Sequence, residues 1–440
     1  MANSAPTQPT PQDIAYLFLQ YAREDFSAIQ NGTGPLGVSG GTQNFTWDTP
    51  VQDYAAWATD IQLLVYLPVT ITVPASGSYT WSPYAPYNLL IANLLIGGSE
   101  SIPPVSLVPF WLDTITNYHS GYDQTLYGPG NPVAGPTIPA VWLDDGSSVD
   151  TAPAGAPAAA IPVTPGSTYT NSGTASVTQN YTFVFYVDMR LARNLYARKQ
   201  ENLVGAVPLG DPSSRPLLNV KVGQLVGTQP ENNAIVSASS GVTATTSTTT
   251  AGTVRALWQS RTLDQLPPAL AGGIPTPQVM MALEIDTNSG YAVPNAGQFA
   301  KLQIRTAMLY HKRFEVLVNN ESPIDPDYTG LWYSDNRSNA RYEFDDQSNT
   351  LWPKYMQYQR RYGRYLPKGV TVHDLIGGAD PEVPMFTPYR GLVTPSVALA
   401  NMAGLKAYPA AQTVTRVKSG TALTNAYVTT YDFGLVPVAY

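Results

Sequence analysis

Between Ile61 and Val73 every second residue is aliphatic: Ile61, Leu63, Val65, Leu67, Val69, Ile71 and Val73 alternate with Gln62, Leu64, Tyr66, Pro68, Thr70 and Thr72. Successive side chains of an extended backbone point to opposite faces, so this period of two makes one long strand with a wholly aliphatic row on a core face. Pro68 brings no amide hydrogen, which implies an edge position or a bulge partway along. Shorter strand patterns recur along the chain at Asn44 to Trp47, Leu89 to Ile96, Tyr181 to Met189, Leu217 to Leu225 and Val254 to Trp258. A second series follows at Val279 to Ile285, Leu302 to Met308, Phe314 to Val318, Gln412 to Val417 and Ala426 to Phe433. Turn signals such as Gly97-Gly98, Asn288-Ser289-Gly290 and Ser419-Gly420 separate them, and many short strands with few helices predict an all-β sandwich or barrel architecture.

Three stretches depart from this pattern. Ile14, Leu17, Phe18 and Tyr21 fall at helical spacing, predicting an amphipathic helix over roughly 12 to 30 within an N-terminal arm, 1–31. Residues 128–177 are dominated by Pro, Ala, Gly, Ser and Thr, and 237–252 holds a run of Thr; both read as long surface loops. Residues 319–386 are aromatic and basic, read as irregular with an embedded helix. The Pro/Gly-rich segment 266–277 is a linker that parts a first unit, 32–268, from a second, 275–440.

Charge and cysteine exclude several functions. Only 12% of residues are charged, about half the roughly 25% usual for soluble domains, so much of the surface is neutral and suited to cover by neighbours. The net charge of −7 argues against a dedicated nucleic-acid binder. With no cysteine there are no disulfides, thiolate metal sites or cysteine nucleophiles. His119, His311 and His373 show no metal-binding spacing, and neither His119 nor His311 has an acid or nucleophile partner in sequence. No secretory signal and no run of about 18 apolar residues is seen, so none is expected to act as a leader or to span a bilayer.

Several motif-like strings have simpler structural readings. Gly37-Val38-Ser39-Gly40-Gly41 fits the nucleophile-elbow string, but no strand precedes it, and it reads as a hinge. Asp325-Pro326-Asp327-Tyr328-Thr329-Gly330 opens like a calcium loop, yet Asn336 stands where the bidentate Glu belongs, which leaves a polar turn. The adjacent pairs Asp144-Asp145 and Asp345-Asp346 diverge on a strand and form no acid/base dyad. Tyr355, Tyr358, Tyr362 and Tyr365 lie at helical spacing among Lys354, Arg360, Arg361, Arg364 and Lys368. That segment is either a contact for phosphates or anionic lipid, or a helix with its Tyr face on the β core or on a neighbouring subunit. The N-terminal helix carries only Arg23 as a cation on its polar face, which favours a neighbouring subunit over a membrane surface.

The run Ile61 to Val73, followed by Pro74-Ala75-Ser76-Gly77, Trp81-Ser82-Pro83-Tyr84-Ala85-Pro86-Tyr87-Asn88 and a second apolar strand ending at Gly97-Gly98, resembles the first jelly roll of a known family. This is the family of double jelly-roll major capsid proteins of tailless, internal-membrane-containing, tectivirus-like bacteriophages. Tyr181 to Arg190, Asn202 to Leu209 and Leu217 to Leu225 are similar to the later strands of that barrel, and Val279 to Phe433 to a second one.

The resemblance implies two tandem eight-stranded jelly-roll barrels with an N-terminal amphipathic helix and long surface loops. It implies a structural, non-enzymatic protein without cofactor or metal that forms homotrimers and tiles an icosahedral virion shell around an internal membrane, assembled in the host cytoplasm. Its partners would be its own copies, neighbouring capsomers, penton and minor capsid proteins and the viral membrane, with no sequence-specific nucleic-acid contact. Ile14, Leu17, Phe18, Tyr21, Tyr355, Tyr358, Arg360, Arg361, Tyr362, Arg364 and Tyr365 are the expected interface or membrane contacts. The competing expectations are a carbohydrate- or receptor-binding β-sandwich of spike type and a two-carboxylate glycoside hydrolase, the latter disfavoured by the lack of well-placed acids.

Overall fold

The computed structural model describes residues 23–26, 30–32, 36, 42–46, 56–82, 87–96, 99–116, 142–143, 168–191, 207–208, 216–227, 234–246, 252–262, 280–303, 309–320, 322–334, 341–343, 346–347, 368–374, 392–393 and 412–438. The principal strands of the first part are β1 (Arg23–Phe26), β2 (Thr42–Thr46), β3 (Ala56–Val73), β4 (Leu90–Ile96), β5 (Ser99–Ser106), β6 (Val177–Arg190), β7 (Pro216–Val222) and β8 (Thr253–Thr262). One helix, α1 (Val108–Thr116), follows β5. The second part holds β9 (Met280–Ala292), β10 (Phe299–Gln303), β11 (Leu309–Asn319), β12 (Tyr328–Ser334), β13 (Arg341–Glu343), β14 (Val370–Asp374), β15 (Gln412–Arg416) and β16 (Ala426–Val438).

The first set pairs as β1-β8-β3-β6 and β2-β7-β4-β5, and the second as β9-β16-β11-β14 and β10-β15-β12-β13. Adding eight to each label of the first pair of sheets gives the second pair. In each set the first strand lies beside the last and the third beside the sixth, the strand order of a jelly roll. The chain is a double jelly roll.

β3 fulfils its period. Ile61, Leu63, Val65, Leu67, Val69, Ile71 and Val73 are all at most 1% exposed, and each aliphatic side chain so buried contributes about 1.5–3 kcal/mol relative to exposure. Pro68 is at neither an edge nor a bulge. On one side β6 pairs from Asp60 to Val73; on the other, β8 pairs up to Tyr66 and Thr243–Thr246 resumes at Val69. Among the described residues the proline falls in the gap between those two partners, where a ladder bond is not required.

Beyond β3 the chain turns through Pro74 to Gly77 with Ser76 at φ 58°. Asn171, 3% exposed, fixes this corner: its side-chain amide donates to the carbonyls of Val73, Pro74 and Ala175 at 3.3, 3.0 and 2.9 Å. Its oxygen accepts from the Gly173 amide at 2.9 Å. A small extra sheet of Ser78–Trp81, Thr168–Thr170, Ala234–Ala238 and Gln224–Gly227 is built onto this end of the barrel.

Three expectations are corrected. Arg23–Phe26 is strand, not the end of a helix, because its backbone pairs with Gln259–Thr262 of β8; residues 1–22 lie outside the described set. Part of the Thr-rich loop is also strand: Thr243–Thr246 pairs with β3, and β-branched Thr fits that half-exposed pleated surface. Within the zone read as irregular, 319–386, β12 and β14 are integral barrel strands, with Tyr328, Thr329, Val370 and Val372 buried. There the aromatic and basic composition masked the period.

Candidate assembly site at the joint between the barrels

α1 starts directly after β5, and Pro109 sits in its first turn, where a missing amide hydrogen leaves no intrahelical bond unmade. Its side chains divide between the barrels. Trp111 stacks on Tyr87 of the first barrel, with ring centroids 5.0 Å apart and planes at 18°. Phe110 and Asp113, three positions apart and so on one side of the helix, reach the second barrel. Phe110 meets Phe433 of β16 edge to face at 6.2 Å, and Phe433 meets Phe314 of β11 at 5.6 Å. Lys312 of β11 donates to Asp113 Oδ1 at 3.1 Å, the two side chains being 7% and 2% exposed. Tyr431 shares a hydrogen bond with Ser106; burial pushes its hydroxyl far above the ordinary range, against the smaller pull of that bond. β5 also packs against β9.

This joint makes the sheet β9-β16-β11-β14 buried on both faces. Toward the first barrel it presents Phe314, Val316, Val318, Val370, Val372, Tyr427, Tyr431 and Phe433, continuous with the first barrel's core. Its other face looks into the second barrel and is charged. Arg313 and Asp432, both wholly buried, form a two-bond pair through Nε and Nη2, the latter 2.7 Å from Oδ2. The guanidinium also donates to the Leu302 and Gln303 carbonyls at 3.1 and 3.2 Å and to Thr413 Oγ1 at 2.8 Å. Two residues along, Glu315 accepts from Thr415 Oγ1 at 2.6 Å and faces His373 Nε2 at 3.5 Å. Burial alone would raise the Glu315 carboxyl; His373 and Arg313 outweigh it and hold it at about 2. An apolar cluster of Val293, Leu302, Leu317, Val417, Ala426 and Val428 fills the rest of this interior.

The first barrel's equivalent sheet differs. Its inner row is aliphatic and aromatic, with Val254, Ala256 and Trp258 of β8 facing the aliphatic row of β3. Its outer face carries Asp60, Gln62 and Leu64 opposite Gln259, Leu257 and Arg255, all half-buried. Asp188 and Arg190 of β6 pair at 3.3 Å beside them.

The expected contact residues Ile14, Leu17, Phe18, Tyr21, Tyr355, Tyr358, Arg360, Arg361, Tyr362, Arg364 and Tyr365 lie outside the described residues, as do His119 and the Gly37 to Gly41 string. The Asp325 turn is described, and its donors are committed. Asp325 accepts from the Gly369 amide at 2.8 Å, and Asp327 binds Arg416 through both oxygens at 3.0 and 3.1 Å. Among the described residues no group of three His, Asp or Glu is placed to hold a metal, and no helix is long and apolar enough to cross a membrane. The sequence placed Phe314 to Val318 in a strand but gave no sign of α1 or of the partners of Lys312, Arg313 and Glu315. Charges alternating with an aromatic inside a strand were the available signal, since such a strand needs partners on both faces.

No protein-family model and no curated relative matches the chain. Solved structures similar to it include the STIV MCP, at 12% identity over 94% of this chain and 97% of that one, TM-score 0.47. Others are the major capsid protein P2 from bacteriophage PM2, at 6% identity over 95% and 98%, TM-score 0.44, and the mavirus major capsid protein, at 10% identity over 93% and 87%, TM-score 0.38. At such scores the strand order of the chain itself, rather than these likenesses, identifies the fold.

Proposed function

We propose that this chain is a structural shell protein, a major capsid protein whose copies associate as trimers and tile an icosahedral virion around an internal membrane. The observation that carries the reading is the duplication: one strand order used twice, with the two barrels joined through a buried helix, an aromatic chain and an ion pair. A joint of that kind holds two similar barrels as one block, and blocks of repeated units suit the tiling of a closed surface. The sparse surface charge supports the same reading, since a surface to be covered by neighbours has little use for solvated ions. On this account the protein is not an enzyme, resides in the virion after assembly in the host cytoplasm, and meets penton and minor capsid proteins as well as its own copies.

Ile14, Leu17, Phe18 and Tyr21 are assigned to a contact with a neighbouring subunit or the membrane side of the shell. Tyr355, Tyr358, Arg360, Arg361, Tyr362, Arg364 and Tyr365 are assigned to a subunit contact or an anionic-lipid contact. Changing Arg360, Arg361 and Arg364 together to Gln separates these: lost liposome binding with intact assembly selects lipid, and the reverse selects the subunit. Electron microscopy of the purified protein or particle tests the reading as a whole. Pseudo-hexagonal capsomers support it; a monomer that binds sugar in the millimolar range or better replaces it with the carbohydrate-binding alternative.

A further inference from the structure

Among the described strands β14 pairs with β11 alone, and its register sets His373 beside Arg313 and Thr371 beside Glu315, on the face shared with Asp432 and Thr430 of β16. Two carboxylates of this interior, Glu315 and Asp432, are buried. A third, Asp286 of β9, is half-buried opposite Asp432 and accepts from Asn288 at 3.1 Å. The Arg313 guanidinium makes its paired bonds to Asp432 and is the one permanent cation here among the described residues, since Lys312 lies on the other face of β11. The described side chains that reach in from the facing sheet are neutral: Leu302 of β10, Thr329 of β12, and Thr413 and Thr415 of β15.

A second cation for Glu315 comes only from His373. Glu315 Oε2 accepts from Thr415, which leaves Oε1 to face His373 Nε2 at 3.5 Å, with Thr329 Oγ1 3.3 Å from the same nitrogen. Oε1 itself accepts no hydrogen bond, and neither does Thr430 Oγ1, directly opposite Glu315 in the ladder and equally shut from water. An interior this short of polar partners has the imidazolium alone to offset the Glu315 charge. The coupling is mutual: against its burial the Glu315 carboxyl is held low first by His373, and the carboxylate favours the imidazolium in turn. Arg313 and Glu315 alternate along β11 with Lys312, Phe314 and Val316, which face the first barrel, so a shift of the strand on its inner face is felt at the joint.

We propose that His373 is a pH-dependent latch of the second barrel: protonated, it ties β14 to Glu315 of β11, and deprotonated, it releases β14 and slackens the joint to the first barrel. The stabilisation is fully present below the pH at which an unfolded histidine titrates, about 6.5, and is lost as pH rises through the range in which the imidazolium of the fold gives up its proton. Glu315 bounds the window from below, because its own contribution starts to fall once pH drops under the ordinary carboxylate value of 4.5. The latch belongs to the single chain and does not depend on the shell reading.

The full chain has 3 histidines, so labelling histidine with carbon-13 at Cε1 gives a spectrum in which the signal lost in His373→Gln marks the latch. Expected is a titration of that signal between about pH 6 and 9, in step with amide exchange at Leu309–Asn319 and Val370–Asp374. Corrected for the intrinsic rate, that exchange should quicken about tenfold across the range, while Ile61 to Val73 of β3 keeps its protection. A His373 signal that does not titrate, or that titrates with exchange unchanged, overturns the proposal. His373→Gln should exchange at the parent's high-pH rate at both ends of the range, and His311→Gln should keep the parent's difference. A pH difference retained in His373→Gln also overturns it. Should His373→Gln not fold, His119→Gln and His311→Gln identify the remaining signal by elimination, and the two readouts on the parent chain decide.

Discussion

Lys312 and Asp113 lie 3.1 Å apart across the joint, one on a strand of the second barrel and the other on α1 of the first, with almost no water at either. Removing one partner leaves the other charged and buried, which costs about 3–5 kcal/mol; replacing both by apolar side chains removes the problem. Asp113→Asn should therefore lower the denaturant midpoint markedly, and Asp113→Leu with Lys312→Met should recover most of the loss. Equal losses in single and double variants would show that the pair does not couple the barrels.

Acid should loosen the second barrel. The Glu315 carboxyl, held at about 2 in the fold against an ordinary 4.5, contributes stability that is fully present above about pH 4.5 and is lost as pH falls toward 2. The loss is on the order of 3 kcal/mol. Unfolding followed by tryptophan fluorescence from pH 6 to 2 should show that slope, and Glu315→Gln should flatten it. An unchanged slope in the variant assigns the acid response to other carboxylates.

Gly369 has φ 77°, and a Cβ there would lie 2.6 Å from the Leu317 carbonyl oxygen, while the Gly369 carbonyl accepts a hydrogen bond from the Leu317 amide at 2.8 Å. Left-handed backbone and a clash with main chain act together, so Gly369→Ala should cost about 1–3 kcal/mol. Gly420, at φ 86° with nothing within 4 Å of its Cβ position, is the control: it suffers the conformational penalty without the clash, and Gly420→Ala should cost less. Thermal melts of the two variants check the ranking.

In β3, Leu63→Ala removes a side chain with no exposure from the aliphatic row and should cost about 2–5 kcal/mol. Pro68→Ala, at the gap between two ladder partners, should cost much less, because no hydrogen bond of the sheet changes. A Pro68→Ala loss as large as that of Leu63→Ala would mean that the proline is itself needed to part those two strands.

How far the sequence could be read follows from where its signals are local. β3 was legible because one row of a strand faces one apolar environment, and the pattern repeats for its whole length. Of β11, Phe314 to Val318 was legible as a strand, but the two environments of its faces were not: Phe314, Val316 and Val318 lie against the first barrel, Arg313 and Glu315 among the charges of the second. The partner that makes Arg313 tolerable is Asp432, far along the chain, and nothing in the spacing announces it. α1 is short and so apolar that it resembles a strand, while Arg23–Phe26 shows the opposite error, a helical spacing overridden by pairing with β8. Of the contact site, the sequence offered aromatic and basic runs that lie outside the described residues; the joint that the structure does describe is built from residues whose partners are set only by the fold.

Native mass spectrometry of the purified full chain tests the central claim most directly. Self-assembly as a trimer predicts a species at three times the 47.4 kDa chain mass, persisting on dilution to the nanomolar range. A single peak at the mass of one chain at micromolar concentration would contradict it.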